Sequence, residues 1–140
     1  MPIQDLARRD VITASTDESV HELATMMGEE DVGSVVITDG DAPVGIVTDR
    51  DLTMEVIAEQ ADPEGLTAED VMSDELRTIP HDAGFYEATE LMSTHGIRRI
   101  PVTDSDDQLA GIITADDLNE LLADEHQELA DVVRAQRPPY

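Results

Sequence analysis

The 140-residue chain predicts an α/β (α+β) fold in which one β-α-β-β-α unit is used twice, the two sheets packed against each other. Three observations predict it. The chain matches itself when slid by 65 residues, Asp5 onto Asp70, with one insertion late in the second copy. Each copy holds one stretch with apolar residues at helical spacing. Each copy then holds two short apolar runs parted by a turn signal.

The self-match runs nearly the length of the chain. Asp5-Leu6 falls on Asp70-Val71, Thr13 on Thr78, Asp17 on Asp82, Glu22 on Glu87 and Met27 on Met92. Val35-Val36-Ile37-Thr38-Asp39 falls on Ile100-Pro101-Val102-Thr103-Asp104. Past the insertion, Gly45-Ile46-Val47-Thr48 falls on Gly111-Ile112-Ile113-Thr114, and Asp51-Leu52 on Asp117-Leu118. The predicted organisation is a first repeat over 1–60, a linker over 61–66 with its Pro and Gly, a second repeat over 67–126, and a helical extension with a loose tail over 127–140.

Within each unit a helical turn comes first (Ile3 to Ala7; Ala68 to Met72), then a strand at Val11–Thr13 and again at Arg77–Ile79. Val20, Leu23, Ala24 and Met27 share one helical face, and Phe85, Ala88, Thr89 and Met92 repeat it. Val35 to Ile37 and Val44 to Val47 are strands joined by Asp39-Gly40-Asp41, an Asp-Gly turn. Ile100 to Val102 and Leu109 to Ile113 are their counterparts, joined through Asp104 to Asp107. A closing helix carries Leu52, Val56 and Ile57 in the first unit. In the second it carries Leu118, Leu121 and Leu122 and runs on towards Val133, with Arg134 to Tyr140 as the tail. A unit of about 60 residues buries too little surface to be stable alone, so the two sheets are expected to complete one core.

Composition narrows the function. There are 33 acidic residues against 8 basic ones, all Arg, for a formal net charge of −25. Such a surface suits a salt-rich cytoplasm, where screening relieves self-repulsion. It opposes nucleic acid and anionic membranes as partners, because phosphate binding is driven by cationic contacts. With no Cys there is no disulfide framework or thiolate chemistry, and no apolar run reaches the roughly 18 residues of a membrane helix. Without an apolar leader at the N-terminus, a soluble cytoplasmic protein is expected. His21, His81, His95 and His126 lack ligand spacing, and Asp104, Asp106 and Asp107 lack that of a calcium loop, so no metal site is expected. No Ser stands in a G-x-S-x-G setting and no Walker loop is present, so an enzyme is not expected.

Binding chemistry concentrates where a strand runs into a helix. At Gly45-Ile46-Val47-Thr48-Asp49-Arg50-Asp51, unpaired backbone N–H groups favour an anion, a Thr hydroxyl is able to donate to phosphate, and Asp51 is able to accept from ribose hydroxyls. Arg50 adds a guanidinium fork. The same residues read equally as an ordinary helix cap, Thr at the N-cap and Asp facing the helix dipole. The second copy keeps Thr114 and Asp117 but puts Asp116 where the Arg stood, which would repel phosphate unless Mg²⁺ bridges. Arg98-Arg99 precede the strand Ile100-Pro101-Val102, where the first unit has Gly33-Ser34. These arginines read either as phosphate ligands or as ion-pair partners of neighbouring acids.

The doubled β-α-β-β-α order, the G-h-h-T-x-x-D-L ending and the h-P-V-x-D strand resemble the CBS domain, here in tandem as in a Bateman module, over roughly residues 1–125. The resemblance implies two repeats about a pseudo-twofold axis, assembly into a homodimer, and binding of AMP, ADP, ATP or S-adenosylmethionine, with Mg²⁺ accompanying a polyphosphate. It implies regulation of a partner effector protein. It implies one cleft built from Thr13, Val32, Gly33 and Ser34 with Arg98, Arg99, Thr114 and Asp117. A second cleft would join Thr78, Ile97 and Arg98 with Thr48, Arg50 and Asp51. The alternative is a dimerisation or scaffold module that binds no nucleotide.

Overall fold

A computed structural model describes residues 1–73 and 75–139; Tyr140, assigned to the tail, lies outside them. After a 3₁₀ turn at Ile3–Asp5, the order is β1 (Thr13–Ser15), α1 (Val20–Glu30), β2 (Ser34–Asp39), β3 (Ala42–Thr48) and α2 (Asp49–Leu52), which runs into a π turn at Thr53–Ile57. The second repeat follows as α3 (Ala68–Val71), β4 (Ile79–Pro80), α4 (Phe85–His95), β5 (Arg99–Thr103), β6 (Leu109–Thr114) and α5 (Ala115–Gln136). Each repeat forms a three-stranded sheet, β1-β2-β3 and β4-β5-β6, with the first pair parallel and the second antiparallel. Even the irregularities repeat: the register slips at Ile37/Thr38 and at Val102/Thr103, one pleat before each hairpin turn.

Strand alternation separates two sheet faces. Val35 and Ile37, and likewise Ile100 and Val102, face the helices of their own repeat within two distinct apolar clusters. Val36 and Pro101, on the opposite faces, are also fully buried, because there the two sheets cover each other. The core is therefore two clusters joined by a seam, where one shared core was expected.

The leading segments cross between the repeats. Ile3, the first residue of the 3₁₀ turn, is fully buried among Ile79, Ala88, Ile100 and Ile113 of the second repeat. Ala68 and Val71 of α3 pack in return among Val20, Leu23 and Val47 of the first. The backbone confirms the exchange. Arg8 N–H donates to the Ile112 carbonyl at 2.9 Å and Ile112 N–H to the Arg8 carbonyl at 2.9 Å, while Ser73 N–H donates to the Ile46 carbonyl at 3.4 Å. Gly111 permits this: a methyl group built on it would stand 2.7 Å from the Arg8 carbonyl oxygen. At the matching place, one on Gly45 would run into the Met72 sulfur. The glycines of the two G-h-h-T motifs thus make room for the other repeat's leading segment.

Local structure departs from expectation at three places. The first strand of each repeat starts two residues late, at Thr13 and Ile79, because only from there does the chain align with Val36 and Val102. After Leu52 the helix widens: Ala58 N–H reaches the Thr53 carbonyl and Ala61 N–H that of Val56, both five residues back. That phase change keeps Val56 buried and leaves Ile57 outside at 72% exposure. The last helix continues to Gln136, past the expected start of the tail, and beyond Leu118 it buries almost nothing.

Candidate functional site

Three helix starts carry the sequence T-x-x-D, and all three form capping boxes. Thr48 accepts from Asp51 N–H at 3.2 Å while the Asp51 carboxylate accepts from Thr48 N–H at 2.9 Å. Thr114 and Asp117 do the same at 3.2 and 3.1 Å. Thr67 and Asp70 form the third, at the head of α3, with Thr67 N–H donating at 2.8 Å. The cap reading is therefore realised at every copy. At Thr48 and Thr114 capping leaves the hydroxyl hydrogen and one oxygen of the partner Asp outside the box, so it does not exclude a ligand, whereas the Thr67 hydroxyl donates to Asp70 at 3.1 Å.

What distinguishes the copies is what stands beside them. A cavity of about 360 Å³ opens between the repeats at the head of α5. Val32, Gly33 and Ser34 line it from the first repeat; Arg98, Arg99, Thr114 and Asp116 line it from the second. All of these but Asp116 were expected around one cleft. The carbonyls of Gly33 and Arg98 hold equivalent posts, accepting from Asp49 N–H at 3.0 Å and Ala115 N–H at 2.8 Å, so each strand start is tied to a helix start.

Two residues expected in this cleft are absent from its lining. Thr13 is exposed on β1, and the late start of that strand puts Val11 and Ile12 at the cavity instead. The Asp117 carboxylate, only 10% exposed, is taken up by Arg8, whose guanidinium donates to it from two nitrogens at 3.1 and 3.2 Å.

The residues of the second expected cleft are not brought together around either cavity. Thr48, Arg50, Asp51 and Thr78 line neither, and Ile97 packs against the second apolar cluster. Arg98, expected to serve both clefts, turns to the first, where it pairs with Asp116 at 3.2 Å. A smaller cavity of about 320 Å³ lies by Gln4, Arg9, His81 and Asp104, where His81 Nδ1 meets the Gln4 side-chain oxygen at 2.9 Å.

Sequence reasoning missed Arg8, Asp10, Val11, Ile12, Asp31, Val36 and Ile112 at the cavity. Val11, Ile12, Val32, Val36 and Ile112 are the apolar part of a lining that also holds Arg8, Arg98 and Arg99. The signal for Val36 was present in the continuous Val35-Val36-Ile37 run, since a strand apolar on both faces is covered on both. Among the described residues there is no group of three or more metal-ligating side chains, and no helix is long and apolar enough to cross a membrane.

Comparison with known proteins follows the repeat. The CBS domain model matches residues 3–58 and 68–124. An uncharacterized protein of Methanopyrus kandleri is 42% identical over 117 residues; the match takes in 83% of this chain but only 60% of that protein. The inosine-5'-monophosphate dehydrogenase of Halobacterium salinarum is 32% identical over 108 residues, covering 76% of this chain and 21% of the enzyme. A CBS domain pair crystallised with 5'-methylthioadenosine and S-adenosyl-L-methionine superposes with a TM-score of 0.80 at 25% identity, covering 89% of this chain and 98% of that one.

Proposed function

Since the chain belongs to the CBS-domain family, as a tandem pair, we propose that it is a regulatory module that binds an adenine nucleotide or related adenosyl ligand between its repeats and signals to a partner protein. The cavity at the head of α5 carries this reading, since its lining combines apolar side chains with Arg98, Arg99 and Thr114. A purine is flat and largely apolar, and suits Val11, Ile12, Val36 and Ile112. A sugar-phosphate suits the hydroxyl of Thr114, the N–H groups at the helix start and the guanidinium groups. Asp117 serves the ribose once Arg8 turns aside; its backbone is fixed on β6, but its side chain is two-thirds exposed. The superposed CBS pair with adenosyl ligands supports the same class. Mg²⁺ would enter only with a polyphosphate, at Asp116.

The role is regulatory rather than catalytic. The likeness to the dehydrogenase spans 21% of that enzyme, as a regulatory insert would. Signalling requires that the ligand prefer one arrangement of the repeats, and the Arg8–Asp117 pair is a contact between the leading segment and α5 that a ligand at Asp117 would have to displace.

Thermal unfolding in high salt with AMP, ADP, ATP and S-adenosylmethionine tests the reading. A ligand at about 100 times its Kd stabilises by about 2.7 kcal/mol, a shift on the order of 10 °C. The shift should vanish in Asp117→Asn, which retains a capping side chain. No shift with any ligand, in a protein that unfolds cooperatively, would favour the second reading, a dimerisation scaffold without nucleotide. The observation behind that one is the exposed row Leu122, Leu129, Val132 and Val133 on α5, a surface suited to a second copy of the chain. A homodimer is compatible with both readings.

A further inference from the structure

We infer that the smaller cavity, between the leading segment and the second repeat, is a binding site for an α-amino acid with a small apolar side chain. It shares no lining residue with the larger cavity, so the inference stands apart from the nucleotide reading. Arg8 and Arg9 are neighbours in the chain, yet Arg8 lines the larger cavity and Arg9 the smaller. Arg9 and Asp104 carry opposite charge and border the same space of about 320 Å³, but they do not come within the 4.0 Å of an ion pair. Among the described residues no carboxylate oxygen lies that close to Arg9, although the chain has 33 acidic residues to offer.

The first repeat serves as an internal comparison. Matching backbone bonds fix the equivalent place: Gln4 N–H donates to the His81 carbonyl at 2.9 Å, and Glu69 N–H to the Thr16 carbonyl at 3.0 Å. Ala7 presents only a methyl group to the cavity, where the self-match puts Met72, a longer side chain packed against the first repeat's apolar cluster. The charge changes too. Gln4, Arg9 and His81 stand where the self-match puts Glu69, Asp74 and Thr16, so the acids of one repeat give way to a cation and two hydrogen-bonding groups in the other.

The groups at the cavity suit a zwitterion. The Arg9 guanidinium is a planar fork that takes a carboxylate by two N–H groups. Asp104 uses one oxygen in its own turn, accepting from Asp106 N–H at 2.9 Å and Gln108 N–H at 3.0 Å, and its other oxygen accepts from none of the described residues. His81 Nδ1 lies 2.9 Å from the Gln4 side-chain oxygen. That oxygen only accepts, so Nδ1 holds the hydrogen and Nε2 of the neutral ring keeps its lone pair. One cation and two acceptors match one carboxylate and one ammonium, and a zwitterion between Arg9 and Asp104 pairs both charges at once. Ala7, Val102 and Ala110 make the rest of the lining apolar and small, which sets the side chain. Because the lining comes from both repeats, occupancy strengthens the hold of the leading segment on the second.

Calorimetric titration of the full chain in high salt with L-valine tests this, against isovalerate and isobutylamine, which are valine without its ammonium and without its carboxylate. L-valine should bind about tenfold or more tightly than either, since each analogue lacks one charge-assisted contact. R9Q should bring L-valine down to the level of isobutylamine, and D104N, which keeps an acceptor for the turn, to that of isovalerate. A7M, with the residue the first repeat uses, should weaken L-valine by about tenfold or more. No binding of L-valine, by protein that melts cooperatively, overturns the inference. So does an analogue that binds as well as L-valine, or an affinity that R9Q leaves unchanged in protein with an unaltered melting curve.

Discussion

Thr48 and Thr114 occupy the same place in the two repeats and form the same capping box, so their loss should weaken the fold alike. Replacing either by Ala should cost about 1 kcal/mol in denaturant unfolding. Their effect on ligand should differ: Thr114→Ala should weaken nucleotide binding, and Thr48→Ala, away from the cavity, should leave it as it was. A second single-residue asymmetry lies at the ends of α1 and α4, where Asp31 (φ 54°) and Gly96 (φ 62°) adopt the same left-handed conformation. Only glycine does so without strain, so Asp31→Gly should stabilise the chain by about 0.5–1 kcal/mol, measurable by thermal melting. At this scale the sequence showed which residue types gather at the cleft, through Arg98, Arg99 and Thr114. It did not show Arg8. The self-match aligns Arg8 with Ser73, an unremarkable position, and only the crossing of the leading segment carries it to Asp117.

Among the elements, helices and hairpins were legible because each pairs a clear periodicity with a clear turn. The strand starts were not. Val11-Ile12 is as apolar as a strand, but its side chains serve the cavity while pairing begins at Thr13. The exchange of leading segments was illegible for a different reason: Ile3 and Ala68 show that they are buried, but not in which repeat. Ile3→Ala should cost about 2–5 kcal/mol, the usual cost of emptying a fully buried aliphatic site. Because that site is in the second repeat, slowed hydrogen exchange of β5 and β6 amides should suffer first. The far end of α5 behaves oppositely. It contributes Leu129, Val132 and Val133 to solvent and little to either cluster. A chain ending at Ala123 should retain its fold by circular dichroism and, on the proposed pairing through α5, scatter light as a monomer where the full chain scatters as a dimer.

For the whole molecule, charge decides the conditions under which the packing suffices. A net charge of −25 on 140 residues works against compaction, and at about 1 M salt the screening length shrinks to about 3 Å. The melting temperature should therefore rise steeply with potassium chloride up to the molar range; a flat response would show that the acidic surface is not an adaptation to salt. The fold class was legible at this scale from the self-match together with the periodicity inside each copy, whereas the division into two apolar clusters was not, because alternation in β2 and β5 fills both sheet faces with the same residue types.

The traded leading segments describe a handshake that needs no covalent bridge. Residues 61–66 join the halves, but the contacts that lock them lie elsewhere, in Ile3 among the second repeat's side chains and in Ala68 and Val71 among the first's. Two separate half-length polypeptides would clasp across the twofold axis by those same contacts, each lending its opening turn to the other. Nicked after Glu64, the protein should stay one particle through gel filtration.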